Sequence, residues 1–253
     1  MNVSRGTKIG MWKFIHKLGS PKWCYRLCGR LQPWFWIAAT ALLVVGTIWS
    51  LAFSPPDYQM GDSYRIIYVH VPAAILAQSV FVVMALASMV FLVWNIKLAD
   101  MAASVMAPFG AAMTFLGLFS GALWGIPTWG TWWTWDARLT SMLIQLFIYI
   151  GVIALRGAFA NTTQGAKAVA VLTLVGVVNI PIIKYSVAWW NTLHQPATFT
   201  LTERPAMPAS MWGPLLIMVL GFYCFFIALT LYRLRSEILK RESRTRWVKE
   251  LVK

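Results

Sequence analysis

Two histidines and one run of tryptophans carry the residue types and spacings in this 253-residue chain that can do chemistry. His70 stands two residues before Pro72, and His194 two residues before Pro196. A neutral imidazole offers one nitrogen lone pair to a metal while its other nitrogen holds a hydrogen bond. Proline is tolerated at the start of a helix and pushes the residue before it towards extended backbone. Each histidine is therefore expected at a defined corner of the chain, and the two form a candidate pair of axial ligands to one iron. Between them in sequence lies the stretch 124–136, WGIPTWGTWWTWD, with five tryptophans in thirteen residues. Indoles offer large, rigid, apolar faces, the surface that a wide, flat ligand requires.

Haem is a ligand that would use both features, and its two propionates need cations. Arg65 lies five residues before His70, and Arg138 follows the tryptophan run, so each is a candidate bidentate clamp for a carboxylate. Every feature also has an ordinary reading. A single histidine at a helix end is commonly a hydrogen-bonded interfacial residue. Arg65 and Arg138 equally suit salt bridges with Asp62 and Asp136 or a snorkelling role. Asp136 suits the N-cap of the helix that follows it. Trp34, Trp36, Trp49, Trp94, Trp212 and Trp247 need no account beyond membrane-interface anchoring. Trp129, Trp132, Trp133 and Trp135 exceed what anchoring one loop requires. Gly125 and Gly130 let the backbone approach a ligand there, and Trp189 and Trp190 add a second aromatic patch just before His194.

The elements that must position these residues are membrane spans. The chain is 59% hydrophobic and only 12% charged, where a soluble domain carries about 25% charged residues. Apolar runs predict six helices, at about 33–53, 72–94, 101–123, 139–155, 168–183 and 212–231, because backbone in lipid must satisfy its own hydrogen bonds. The fold class is thus an all-α polytopic membrane protein. A basic segment 1–32, with His16 read as a solvated or headgroup-facing residue, precedes the six-helix membrane domain 33–231. A basic tail 232–253 follows, read as an amphipathic interfacial helix contacting membrane lipid. Six spans put both ends on one side, and 18 of the 22 Lys and Arg fall there. The positive-inside rule places that side in the cytoplasm, leaving Arg65, Arg138, Lys184 and Arg204 opposite, with both histidines and the tryptophan run. The net charge of +14 is therefore a topology signal, and no nucleic acid partner is expected.

Several classes are excluded. There is no Ser/His/Asp arrangement, no Walker motif and no Cys-x-x-Cys-His for covalent haem attachment, so no enzyme is expected. Asp57, Asp62 and Glu203 are too scattered for a paired-carboxylate site, and Cys24 and Cys28 read as packing residues. Charged residues are absent from the span interiors, which argues against an ion-coupled transporter. A quinol-oxidising haem protein would need histidines inside its spans. Gln145 and Asn179 are the main polar features there and read as helix–helix contacts.

At WGTWWTWD the chain resembles the WGxxWxWD signature of the haem-handling WWD-domain proteins, met by Trp129, Gly130, Trp133, Trp135 and Asp136. The stretches DSYRIIYVHVPAA, WDARLTS and VNIPIIKYSVAWWNTLHQ extend the resemblance to the cytochrome c maturation protein C family over nearly the whole chain. That resemblance implies six helices in the bacterial inner membrane and a periplasmic site for haem b. It implies His70 and His194 as axial iron ligands, Trp129–Asp136 as the platform, Arg65 and Arg138 lining the site, and Asp57 as an acid of the first periplasmic loop. Met60 stands where the family often carries glutamine. It further implies delivery of haem to the membrane-anchored haem chaperone CcmE for c-type cytochrome biogenesis. The ABC transporter subunits CcmA and CcmB, with the small membrane protein CcmD, then release the loaded chaperone. The alternative is a permease that moves haem through its own bundle, which would need a polar path between the spans.

Overall fold

The computed structural model describes residues 19–159, 163–194 and 207–251. The segment 1–18 with His16, and Glu203 and Arg204 in the last long loop, lie outside the described residues. Helix α1 (Pro21–Ile48) runs on through a π-turn, Trp49–Phe53, and a 3-10 turn, Asp62–Ile66, leads into α2 (Ile67–Trp94). Then follow α3 (Lys97–Trp129), α4 (Ala137–Ala158), α5 (Thr163–Gly176), α6 (Asn179–Trp189), α7 (Ala209–Arg241) and the short α8 (Arg246–Leu251). Six stretches are long and apolar enough to cross a membrane, with α5 and α6 together making the fifth. The chain is an all-α, multi-pass membrane protein, and among the described residues there is no strand, only an isolated bridge between Asp57 and Gly61.

The helices extend past the apolar runs at nearly every end. Hydropathy marks only the hydrocarbon layer, whereas helical hydrogen bonding continues until a cap stops it. Lys22, Arg26 and Arg30 accordingly form the first turns of α1, and α7 continues through Tyr232 to Arg241, so the basic tail begins as a prolongation of the last span. The expected turn at 97–100 shrinks to two residues. Asn95 adopts left-handed backbone at φ 53° and caps α2 through its N–H to the carbonyl of Phe91, and Lys97–Asp100 is already the first turn of α3. The fifth span breaks at Val177 and Val178, because Pro181 has no N–H to give the carbonyl of Val177. Pro181 then falls harmlessly in the first turn of α6.

The core lies where α2, α3 and α4 meet, around Leu76, Phe81, Met84, Met106, Phe109 and Tyr149. Tyr149 hydroxyl donates to the Ala77 carbonyl at 2.8 Å, which satisfies a buried polar group. Asn179 Nδ2 donates to Gln145 Oε1 (3.1 Å) and to the Ser141 carbonyl (2.9 Å), joining α6 to α4. Helix α1 packs mainly on α7 and leaves most of its apolar surface outward. At the end of the bundle where α3 begins, the buried carboxylate of Asp100 holds Arg156 of α4 and Arg241 of α7, and Arg241 also reaches Glu237. At the opposite end, the starts of α2 and α4 and the ends of α3 and α6 converge.

Candidate functional site

His70 sits in the second half of the first turns of α2, and here the structure departs from the expected extended corner. The helix begins three residues earlier, at Ile67, and takes Pro72 inside. So near the helix start, the missing proline N–H leaves only the Tyr68 carbonyl without its donor. The imidazole points at α3. Its Nδ1 lies 3.1 Å from Ser120 Oγ, and that hydroxyl donates its own hydrogen to the Leu116 carbonyl at 2.6 Å. A serine hydroxyl has one hydrogen, so Nδ1–H must be the donor and the lone pair falls on Nε2. Gly121 makes room for the ring: a Cβ there would stand 2.9 Å from His70 Cε1. Trp124 meets the imidazole edge-on, with ring centroids 5.8 Å apart.

The tryptophan stretch is half helix and half loop. Helix α3 continues through Pro127 to Trp129, so the loop expected from residue 124 begins only at Gly130. Thr128 hydroxyl donates to the Trp124 carbonyl at 2.7 Å, and Gly130, at φ 74°, ends the helix with its N–H on the Ile126 carbonyl. That left-handed backbone is the reason for a glycine at this position. The loop then divides its indoles. Trp129 and Trp133 pack on the buried cluster of Leu118, Leu139, Met142 and Ile183, whereas Trp132 is 63% and Trp135 77% exposed. Trp133 orients Trp135 edge-on at 5.4 Å.

Asp136 closes the loop and serves two structures at once. Its Oδ1 accepts the Leu139 N–H at 2.8 Å as the N-cap of α4. Its Oδ2 accepts the Thr192 hydroxyl at 2.5 Å and faces His194 Nδ1 at 3.2 Å. Thr192 Oγ1 in turn accepts the His194 backbone N–H at 3.1 Å. Burial pushes the Asp136 carboxyl up, but these hydrogen bonds outweigh it and hold the group below its ordinary range. Burial lowers the His194 imidazole, with Asp136 opposing, and the net shift is downward. His194 is therefore neutral at neutral pH, with Nδ1–H on the carboxylate and its lone pair on Nε2. Trp129 meets this ring at 4.9 Å.

The other expected residues are placed as follows. Arg65 lies at the rim but is largely committed: Nε pairs with Asp62 at 2.9 Å, and Nη1 and Nη2 donate to the carbonyls of Ser50, Leu51 and Ser54. Three of its five N–H groups thus close the π-turn that ends the first span, and a fourth is held by Asp62. Arg138 makes longer bonds, to Ser186 Oγ at 3.2 Å and the Lys184 carbonyl at 3.4 Å. Asp57 accepts the N–H groups of Gln59 and Met60 and shapes the first loop, away from the two imidazoles in bonding terms. Met60 in that loop packs, as does Trp124, against the cluster of Tyr64, Tyr68 and Met211. Ser120, Gly121 and Thr192 join the site only through the fold. Only Thr192, two residues before His194, carried a local signal, a hydroxyl able to bond the backbone two residues on.

His70 meets Trp124 and His194 meets Trp129, two indoles of the same helix end, so both imidazoles stand at one end of the bundle, and each presents Nε2 with Nδ1 tied. Among the described residues no third His, Cys, Asp or Glu joins them in a metal-binding group. Two such imidazoles suit a metal that brings its own equatorial donors. The family model described as "Heme exporter protein C" matches residues 14–249. The chain belongs to the haem exporter protein C family. It is 50% identical over 241 residues to the "Heme exporter protein C" of Haemophilus influenzae, covering 95% of this chain and 98% of the relative. It is 49% identical over 242 residues to that of Escherichia coli K12, covering 96% and 98%. The relative from Bradyrhizobium diazoefficiens is 47% identical over 228 residues, 90% of this chain and 86% of its own. The haem exporter protein C match spans every residue of the site described above. The residues present fit the ligand in the family's name: two neutral imidazoles, two exposed indoles, and Trp124 Nε1 buried without a partner among the described residues.

Proposed function

We propose that this chain binds haem b at the outer face of the bacterial inner membrane and hands it to a chaperone for c-type cytochrome biogenesis. His70 and His194 are the axial ligands, each through Nε2. Trp132 and Trp135 present apolar faces to the macrocycle, Trp129 and Trp133 brace them, and Asp136 orients His194. Arg138, and the one uncommitted N–H of Arg65, serve the propionates, while Asp57 holds the first loop in shape. Haem, when bound, would bring an iron that takes imidazole donors, and this chain's part is to hold His70 Nε2 and His194 Nε2 in place for it.

The observation that carries this reading is the pair of imidazoles with fixed Nδ1–H groups, at the end of the bundle where the loop exposes Trp132 and Trp135. The charge distribution supports the orientation: the basic flanks, 1–32 and 232–253, lie in the cytoplasm around the membrane domain 33–231, and the site is periplasmic. By family, CcmE receives the haem, and CcmA, CcmB and CcmD form the ABC transporter complex that releases the loaded chaperone. The buried apolar layer around Leu76, Phe81 and Phe109 favours presentation at one face over passage through the bundle. The test is the absorption spectrum of detergent-purified protein co-expressed with CcmE. A Soret band that disappears in the His70→Ala/His194→Ala double variant is expected, and an unchanged band in that variant refutes the reading.

A further inference from the structure

We propose that the two axial imidazoles are unequal ligands, made so by Ser120 and Asp136, and that His70 is the one that gives way when another ligand enters. This inference rests on the haem reading above. The two rings share a tautomer but not a partner. His194 donates Nδ1–H to a carboxylate, which itself is fixed by the Thr192 hydroxyl and the Leu139 N–H. His70 donates to the neutral hydroxyl of Ser120.

A hydrogen bond to an ionised acceptor is roughly twice as strong as a neutral one. It draws the Nδ1 proton outward and makes Nε2 a better donor, which is how partners behind a metal-bound histidine tune the metal. Asp136 therefore gives His194 part of the character of an imidazolate. Ser120 confers much less: its oxygen bears no net charge, and its hydrogen is spent on the Leu116 carbonyl. Its work is positional, holding the ring edge against Gly121 so that Nε2 keeps one direction. The iron–His70 bond is then the weaker of the two. A site that must release its cargo needs one ligand strong enough to retain it and one weak enough to exchange, and the two acceptors provide that difference without any change of ligand type.

Carbon monoxide tests this directly, because it replaces the weaker axial ligand of a reduced bis-imidazole haem and leaves the stronger one opposite. The Fe–C and C–O stretching frequencies then report the donor strength of the imidazole that remains. The expected result is that the carbon monoxide adduct of the unmodified protein has the frequencies of the His70→Ala adduct, with His194 retained, and differs from that of His194→Ala. Ser120→Ala should leave those frequencies unchanged, and Asp136→Asn should shift them and weaken haem retention by about 10–100-fold. Asparagine keeps an N-cap acceptor for α4. Should Asp136→Asn carry no haem, the comparison with the two histidine variants decides alone. An adduct matching His194→Ala, or a mixture of the two, overturns the inequality while leaving the haem reading intact. Absence of a Soret band in the unmodified protein overturns the haem reading itself.

Discussion

Replacing Gly121 by alanine tests the placement of His70 without touching either ligand. An alanine Cβ at this position would lie 2.9 Å from His70 Cε1 and 3.4 Å from Nδ1. Carbon atoms in van der Waals contact sit about 3.5–4.0 Å apart, so the ring must retreat by about 0.6 Å or rotate. Metal–ligand distances hold to about 0.2 Å, so a retreat of that size takes Nε2 out of bonding range. It also strains the 3.1 Å bond to Ser120. The backbone argues the other way: Gly121 is interior to α3, where alanine is favoured over glycine by roughly 0.5–1 kcal/mol. The variant should thus fold at least as well as the parent while losing one axial ligand. Detergent-purified Gly121→Ala protein should show a shift from a six-coordinate, low-spin to a five-coordinate, high-spin haem spectrum, reversed by free imidazole. Gly157→Ala is the control, since a Cβ there meets nothing within 4 Å. A Gly121→Ala protein with unchanged thermal stability and an unchanged low-spin spectrum refutes the assignment of His70 as a ligand packed on this helix.

Five further variants test the same geometry. Arg65→Ala should lower the melting temperature in detergent, because it removes bonds to three carbonyls and Asp62, a loss on the order of 3 kcal/mol. Arg138→Ala, with its longer bonds, should instead weaken haem retention at nearly unchanged stability, as a haem titration will show. Trp133→Ala should cost about 1–3 kcal/mol by uncovering the cluster that the partly buried indole packs on. Trp135→Ala should stay within about 0.5 kcal/mol yet impair transfer of haem to the chaperone, measured as the fraction of chaperone carrying covalent haem. Asp100→Asn should destabilise the bundle by about 3 kcal/mol, because it removes the charge that Arg156 and Arg241 share, leaving Arg241 only Glu237. The haem spectrum of the protein that survives should be unchanged, since Asp100 lies at the other end.

The spans were legible in the sequence because lipid imposes one rule on every residue of an apolar run, so a local count suffices. Their ends were not, since a cap depends on where single hydrogen bonds go. The apolar run ends near 123, yet α3 continues through Gly125 and Pro127 to Trp129: Pro127 lies near the helix end, and the Thr128 hydroxyl covers the Trp124 carbonyl. Pro72 is likewise carried inside α2, near His70. The histidines, indoles and Asp136 were legible by residue type alone. Ser120 and Gly121 were not, because a serine and a glycine on an apolar helix are ordinary packing residues until a ring from another helix is laid across them. The Asp100 network was hidden for a related reason, as its two arginines arrive from chain positions 56 and 141 residues away.

Asp136 shows why fold and site are hard to separate in this protein. One carboxylate starts α4, fixes the Thr192 turn and receives His194 Nδ1. The energy that caps the helix therefore also orients the ligand, and no separate element is needed to hold the loop that bears it. The arrangement has a cost in tolerance. Alanine at Asp136 removes the cap, worth about 1 kcal/mol, and frees the His194 ring at the same time. Asparagine keeps the cap but not the charge. Comparing haem retention in those two variants separates orientation from charge: if alanine and asparagine lose haem equally, the negative charge is what holds His194, and if asparagine behaves as the parent does, orientation alone suffices.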